Sequence, residues 1–438
     1  MTASAGDGAV RSWGLPGPFR QRLVKPATLA DVALPTTEAW LAHGSGRSYG
    51  DVALNAGHAL VQTRWLDRYI AFDPATGELD CEAGVELATI VRDFLPRGWF
   101  PPVVPGTRHV TVGGAIANDV HGKNHHAMGS FGDHVLGLTL QRTDGMVIQC
   151  SREQNPDWFA ATVGGLGLTG LVTRARLRLR PVDSGWVRVS TRRFRGLDAF
   201  FALNQQAEAA HEYAVAWIDC LSGPDGLRGV MFAGDHADAP AGQPQFPPEP
   251  AIKSFPIKPP FSLVNSLSLR AFNAAYFATA REDWIDLQPV WKYFWPLDAM
   301  AHWNRIYGRR GLLQYQFVVA PEHARETITK VLRAIRASGQ GSFLAVLKTF
   351  GTRSAPGMLS FARPGLTLAL DFPNVPQVHA LFATLDDCIE SAGGALYPAK
   401  DARGPGRLFR AGYPAWNTFQ AYRDPGICSD FVRRMERS

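Results

Sequence analysis

Cysteine is scarce in this chain of 438 residues: Cys81, Cys150, Cys220, Cys388 and Cys428 are scattered, odd in number and never spaced as Cys-x-x-Cys. That pattern argues against a zinc site and against a disulfide framework, so no metal is expected and a reducing compartment is the simplest setting. No apolar run reaches the roughly 18 residues that a membrane-spanning helix needs. The stretch from Met1 to Gly14 lacks the basic-then-apolar order of a signal peptide. The expected location is the cytoplasm or the periphery of the inner membrane, with a periplasmic placement left open. No block of Lys and Arg and no known nucleic-acid module is present, which argues against nucleic-acid binding. The formal net charge of +6 fits a solvated surface, or a mild preference for anionic ligands and acidic bilayers.

The chain does hold enough apolar residues, 46% against 19% charged, to build two or three domains with real cores. Its most informative stretch is Val110–His134, VTVGGAIANDVHGKNHHAMGSFGDH. Strand-like Val110–Val112 runs into Gly113 and Gly114, and paired glycines after a strand let backbone approach a ligand where side chains would block it. An earlier run, Ala42–Asp51, repeats the device with Gly44, Gly46 and Gly50. Two such cradles point to one large phosphorylated cofactor held from two sides. Gly165–Gly170 fits GxGxxG, but a helix pattern precedes it and a strand pattern follows. That order is the reverse of a Rossmann fingerprint, so this reading is rejected.

The periodicities divide the chain. Residues 27–185 alternate short strands with single helices. Leu87, Ile90, Val91 and Phe94 follow helical spacing, and Thr143-Asp144-Gly145 marks a hairpin. From Val172 to Arg180, apolar and arginine residues alternate strictly, as in a half-buried strand with a solvated arginine face. Between 185 and 390 aromatics rise, strands such as Gln314–Val319 and Leu366–Asp371 alternate with helices such as His323–Ala337, and a second α+β domain is expected. Within it, the Pro-rich segment 239–260 reads as a mobile loop, followed by the aromatic run Phe261–Ala280. Gln314 and Gln316 lie two apart on a strand and share one face, opposite Tyr315. They suit a cleft that binds sugar hydroxyls or a flavin ring, or simply solvent. Lys348 interrupts an apolar run and wants an anionic partner. His121 serves either a ligand, with Asp119 holding its tautomer, or the core.

Several motifs together carry a resemblance. They are GRSYGD at Gly46–Asp51, PGTRHVTVGGAIANDVHGKNHH at Pro105–His126, GSFGDHV at Gly129–Val135, WNRIYG at Trp303–Gly308, GLLQYQFVV at Gly311–Val319, DFP at Asp371–Pro373 and LYPAKDAR at Leu396–Arg403. In this order the chain resembles the FAD-dependent decaprenylphosphoryl-β-D-ribose 2-oxidase family, within the vanillyl-alcohol-oxidase superfamily. The resemblance implies an α+β, two-domain fold of the PCMH type. Residues 1–183 with 394–438 would form the FAD-binding domain, and residues 184–393 the substrate domain. It implies oxidation of the ribose 2-hydroxyl of a polyprenylphosphoryl-β-D-ribose to the 2-keto sugar, the first half of an epimerisation serving cell wall biogenesis. An NAD(P)-dependent short-chain reductase would be the second component, and peripheral membrane contact would reach the lipid-linked sugar phosphate. Two other readings stay open: a sugar, alditol or aldonolactone oxidase, and a non-catalytic flavin-fold protein that binds polyprenyl-phosphate sugars.

By the same resemblance the cofactor set is Gly44, Ser45, Gly46, Arg47, Ser48, Tyr49, Gly50, Asp51, Gly106, Thr111, Val112, Gly113, Gly114, Asn118, Asp119, His121, Val172 and Tyr397. Many superfamily members bond FAD through a His where this chain has Arg47, and Arg offers no nucleophilic ring nitrogen, so noncovalent FAD is expected. Lys400 is the expected base, with Tyr49 and His121 beside it as catalytic residues. Gln314, Gln316, Lys348, Thr367 and Ala369 are the expected substrate contacts. Thr367 and Ala369 stand where mycobacterial relatives carry Asn and Cys, so a nucleophile is missing from this pocket.

Overall fold

The structure, a computed structural model, describes residues 4–15 and 17–437. The first region holds two sheets. Ser4–Val10, Phe19–Lys25, Ala59–Gln62 and Trp40–His43 pair in that order. A second sheet runs Tyr69–Asp73, Glu78–Glu82, Leu171–Arg178, Val135–Gln141 and Val147–Cys150. The helix Leu87–Phe94 buries Leu87, Ile90, Val91 and Phe94, the face that its 3.6-residue period dictates. Each such side chain contributes about 1.5–3 kcal/mol on leaving water. On the alternating strand, Arg178 bonds Glu78 directly opposite it and Arg174 bonds Asp80 diagonally. These are exposed cross-strand pairs of modest worth, so the arginine face is a solvated surface.

The second region is one antiparallel sheet of eight strands. Its order is Trp284–Pro289, Trp186–Arg195, Arg228–Ala237, Tyr213–Ile218, Ala345–Thr349, Leu366–Pro373, Leu312–Val319 and Ala395–Leu396. Leu197–Ala210, Pro321–Ser338 and Pro376–Ser391 are helices packed on one of its faces. Along the central strands every second residue enters that core: Ala345 and Leu347, Leu368 and Leu370, Tyr315 and Phe317. The period of two sends Val346 and Lys348, Thr367 and Ala369, Gln314 and Gln316 to the opposite face. Ala395–Leu396, grouped by sequence with the tail, pairs with Leu312–Val319 and closes this sheet.

Beyond Leu396 the chain returns to the first region. Tyr397, Phe409, Tyr413, Phe431 and Met435 pack with Trp40, Leu41 and Leu60 in one core. Arg434 grips both carboxylate oxygens of Asp51 at 2.8 Å, a bidentate pair with fixed geometry.

One local expectation changes. Val110–Val112 is not a strand leading into glycines, because Val112–Ala117 is already helical. Thr111 takes extended angles and its Oγ1 accepts from Gly114 N at 3.1 Å, which starts the helix. The segment 239–260, expected to be mobile, makes specific contacts with its surroundings. Trp186 Nε1 donates to Pro244 O and Trp291 Nε1 to Pro247 O, both at 2.9 Å. Buried Arg108 pairs with Glu249 at 2.6 Å, and Lys253–Ser254 pairs in parallel with Met300–Ala301. Proline removes backbone donors here, and the two tryptophan contacts use its carbonyls instead.

Candidate active site

Between the sheet faces and the glycine loops lies a cavity of about 450 Å³. The Ala42–Asp51 loop, the start of Val112–Ala117, the Leu166–Val172 turn, the open face of the large sheet and the returning tail all supply walls. Of the residues expected from sequence, Gly44, Ser45, Gly46, Arg47, Ser48, Tyr49, Gly106, Thr111, Gly113, Gly114, Asn118, His121, Val172 and Tyr397 line it. So do Gln314, Gln316, Lys348, Thr367, Ala369 and Lys400.

Four others frame the cavity without lining it. A Cβ on Gly50 would stand 1.7 Å from Asp401 O, so this glycine allows the tail to approach and not a ligand. Asp51 is engaged by Arg434. Val112 points into the core with Ala115 and Ile116. Asp119 Oδ1 accepts from Gly132 N at 2.8 Å and Oδ2 from Ser360 Oγ at 2.5 Å. It therefore braces the loop and does not hold the His121 tautomer.

Gln316 holds the His121 ring: its Nε2 donates to His121 Nε2 at 3.2 Å, and Phe350, Phe361 and Tyr397 surround the ring. Burial, reinforced by Lys348, keeps this imidazole well below its usual pKa and neutral. Accepting at Nε2 places the proton on Nδ1, which has no partner among the described residues.

Lys400 Nζ sits 4.0 Å from the centroid of the Tyr49 ring. The side chains of Trp13 and Gln314 face the Tyr49 hydroxyl. Gln314 Nε2 in turn donates to the Asp371 carboxylate, whose other oxygen is buried without a partner among the described residues. Burial lowers the Lys400 pKa and raises that of Asp371, while their mutual attraction opposes both shifts. Deeper along the sheet, Lys348 Nζ donates to Gly122 O at 2.5 Å, and Lys123 Nζ lies over the Tyr293 ring at 4.2 Å. Burial pulls both ammonium groups down to about 7.

Sequence reasoning missed Lys123, Asp371, Trp13, Trp217 and Tyr276. Lys123 and Asp371 sat inside motifs already singled out. Tyr276 sat inside the aromatic run 261–280, whereas Trp13 and Trp217 carried no local signal, because only the fold brings them to the cavity.

Residues 23–151 match the FAD binding domain family. The chain is 37% identical over 411 residues to the decaprenylphosphoryl-beta-D-ribose oxidase of Mycolicibacterium smegmatis, across 90% of this chain and 89% of that protein. An uncharacterised protein of Streptomyces coelicolor is 34% identical over 381 residues, 80% of this chain and 100% of its own. Cytokinin dehydrogenase 2 of Arabidopsis thaliana is 30% identical over 151 residues, 34% of this chain.

The cavity suits FAD on its own features. A Cβ at Gly106 or Gly167 would meet no atom within 4 Å, so both glycines leave room at the wall. Arg47 Nε, Asn118 Oδ1, His121 Nδ1 and Gln314 Oε1 are buried there without partners among the described residues. Buried polar atoms of this kind want a ligand. Ser45 is already engaged, donating to Glu86 Oε1 at 2.6 Å. With His109 the larger cause and Ser45 a further one, Glu86 is held down at about 2.

Proposed function

Since the chain belongs to the decaprenylphosphoryl-β-D-ribose oxidase family, we propose that it oxidises the ribose 2-hydroxyl of a polyprenylphosphoryl-β-D-ribose to the 2-keto sugar. It is an FAD-dependent oxidoreductase acting on a CH–OH group. The observation that supports this reading is one cavity lined both by the glycine loops and by Lys400, Gln314 and Gln316, with Lys400 over the Tyr49 ring.

When bound, FAD supplies the acceptor for the hydride given up by the ribose C2. Lys400 takes the hydroxyl proton at Nζ. Burial favours its uncharged amine, which has the lone pair this step needs. Asp371 stands by as the counter-charge once Lys400 is protonated. Gln314 and Gln316 orient the sugar hydroxyls, and neutral His121 fixes the Gln316 amide. Lys348 and Lys123 meet the substrate phosphate, which restores the charge that their burial disfavours. Gly44, Gly46, Arg47, Ser48, Thr111, Gly113, Gly114, Asn118 and Tyr397 hold the cofactor. Arg47 stands where a covalent histidine would, so the flavin is held without a bond: acid precipitation should release intact FAD, and flavin remaining with the pellet would refute this.

The remaining parts of the reading are a reductase that returns the keto sugar to an alcohol, peripheral contact with a membrane, and a place in the cytoplasm or at the inner membrane. The deciding experiment is an anaerobic titration of the purified holoprotein with a polyprenylphosphoryl ribose. Bleaching of the flavin by this compound, and not by free sugars or alditols, is expected. Bleaching by free polyols alone would replace the substrate.

A further inference from the structure

Exposed apolar side chains are not scattered evenly on this molecule. Of thirteen large ones among the described residues, seven fall within 252–272 or at Met300. Phe261 and Ile257 are each 68% exposed and Leu267 is 77% exposed. These residues are brought together by named contacts. Lys253–Ser254 pairs with Met300–Ala301, Leu263 N donates to Ile306 O, Ser268 Oγ donates to Leu263 O, and Gly308 abuts Phe261. A contiguous exposed patch of this kind on a soluble chain marks an interaction surface.

The charge of the same face is one-sided. No Asp or Glu occurs from Ala251 to Arg281 or from Met300 to Gly311, while Lys253, Lys258, Arg270, Arg281, Arg309 and Arg310 do, all of them exposed. Lys258 lies close enough to Arg11 and Arg305 for their charge to act on it. The acids that flank these stretches are engaged elsewhere: Glu282 and Asp283 pair with Arg193 and Arg192, Glu249 pairs with Arg108, and Asp298 accepts from Thr107 Oγ1 and Arg108 N. A hydrophobic ridge ringed by unneutralised cations fits an anionic lipid surface. A protein partner of ordinary composition would need a mixed-charge rim.

The face is also continuous with the cavity. The helix Ser266–Thr279 anchors on the sheet through Leu269, Phe277 and Asn273, whose Nδ2 donates to Asp219 Oδ1 at 2.8 Å. Tyr276 of this helix lines the cavity and packs on Trp217 at 4.6 Å, and on its outer side stacks on Phe272 at 5.8 Å. A chain of aromatic contacts thus links the cavity wall to the exposed Phe272.

We infer that the face formed by residues 251–272 and 300–310 seats on an anionic bilayer, with Ile257, Phe261, Leu263 and Leu267 inserted and the Trp217–Tyr276–Phe272 stack serving as the passage for the prenyl chain. The passage rests on the lipid-linked substrate proposed above; the docking face does not. Flotation of the holoprotein with vesicles tests it. Vesicles of equal parts phosphatidylglycerol and phosphatidylcholine should carry the protein, and pure phosphatidylcholine should carry much less. Lys253→Glu/Lys258→Glu should weaken binding by roughly tenfold or more, and so should Phe261→Ser/Leu267→Ser. Both variants should retain flavin reduction by a short-chain, detergent-free substrate analogue. Equal flotation with both vesicle types, or no effect of either variant, would overturn the docking face. So would a shift of either variant, but not wild type, from dimer to monomer in sedimentation, since the face would then be a contact between copies. Vesicle binding without flavin reduction by any polyprenylphosphoryl ribose would leave the docking face standing and remove the function proposed above.

Discussion

Lys400 and Asp371 form a buried pair in which either partner changes the other. Replacing Lys400 with Ala should leave FAD bound, because Lys400 is engaged by the Tyr49 ring and the Asp371 charge and is not among the residues proposed to hold the cofactor. Loss of a positioned base costs about 10²–10⁴ in rate, so anaerobic flavin reduction should fall by that factor. Reduction within a few-fold of wild type would take Lys400 out of the chemistry. Reduction by wild type should rise with pH as Lys400 sheds its proton. Asp371→Asn removes the attraction that opposes the burial shift, so the rising limb should move to lower pH. An unmoved limb would mean that Asp371 does not communicate with Lys400.

Position 369 offers a second residue-scale test. Ala369 lines the cavity, and the cysteines at 81, 150 and 220 are buried, with burial pushing the last two up to about 12. A pocket-directed electrophile should leave wild type unlabelled at this site, and Ala369→Cys should become labelled, as read by intact mass. Equal labelling of both proteins would place a native thiol in the cavity and displace residues 367–371 from its wall.

At the scale of elements, Gly50 shows how closely the tail is docked. A Cβ there would stand 1.7 Å from the Asp401 carbonyl. Gly50→Ala should therefore push the tail away from the first loop, at a cost of about 1–3 kcal/mol, and loosen flavin because Tyr397 moves with it. Unfolding midpoint and the fraction of flavin retained on dilution both report this. Unchanged values would mean the tail yields without strain. This element also shows where sequence reading stopped. The alternation at 312–319 placed Gln314 and Gln316 on one face and Tyr315 on the other, because a strand's period is visible locally. The helix at Val112–Ala117 was hidden: a Val-Thr-Val run favours a strand, and only the Thr111 cap decides otherwise. Asp119 was hidden for another reason, since its partners Gly132 and Ser360 come from distant parts of the chain. Tethers such as Trp186 to the Pro244 carbonyl leave no trace in composition, so the Pro-rich segment read as free.

On the scale of the whole molecule, the two buried lysines tie stability to pH. Burial lowers Lys123 and Lys348 from their ordinary 10.5 to about 7. Between these values the unfolded chain binds more protons than the folded one, so stability of the ligand-free protein should rise with pH across that window. Above about 10 the buried tyrosines reverse the trend, because their pKa is raised on folding and the unfolded chain loses protons first. Lys348→Met should flatten the rise between pH 7 and pH 9, measured by denaturant unfolding. An equally steep slope in the variant would assign the dependence elsewhere.

The clasp between Arg434 and Asp51, and the meeting of Tyr397 with the carbonyl of Asn118 at 3.0 Å, also bear on biosynthesis. The glycine loops leave the ribosome long before the residues that face them across the cavity. A nascent chain that has passed Asn118 but not Gln314 has only the loop wall of the pocket, and one that has passed Ala369 but not Tyr397 still lacks the wall that the tail supplies. Flavin capture is therefore a late event, following the docking of the tail and not guiding the early folding of the loops. Cells short of flavin should accumulate a nearly complete apoprotein that is still able to load, and not fragments arrested midway.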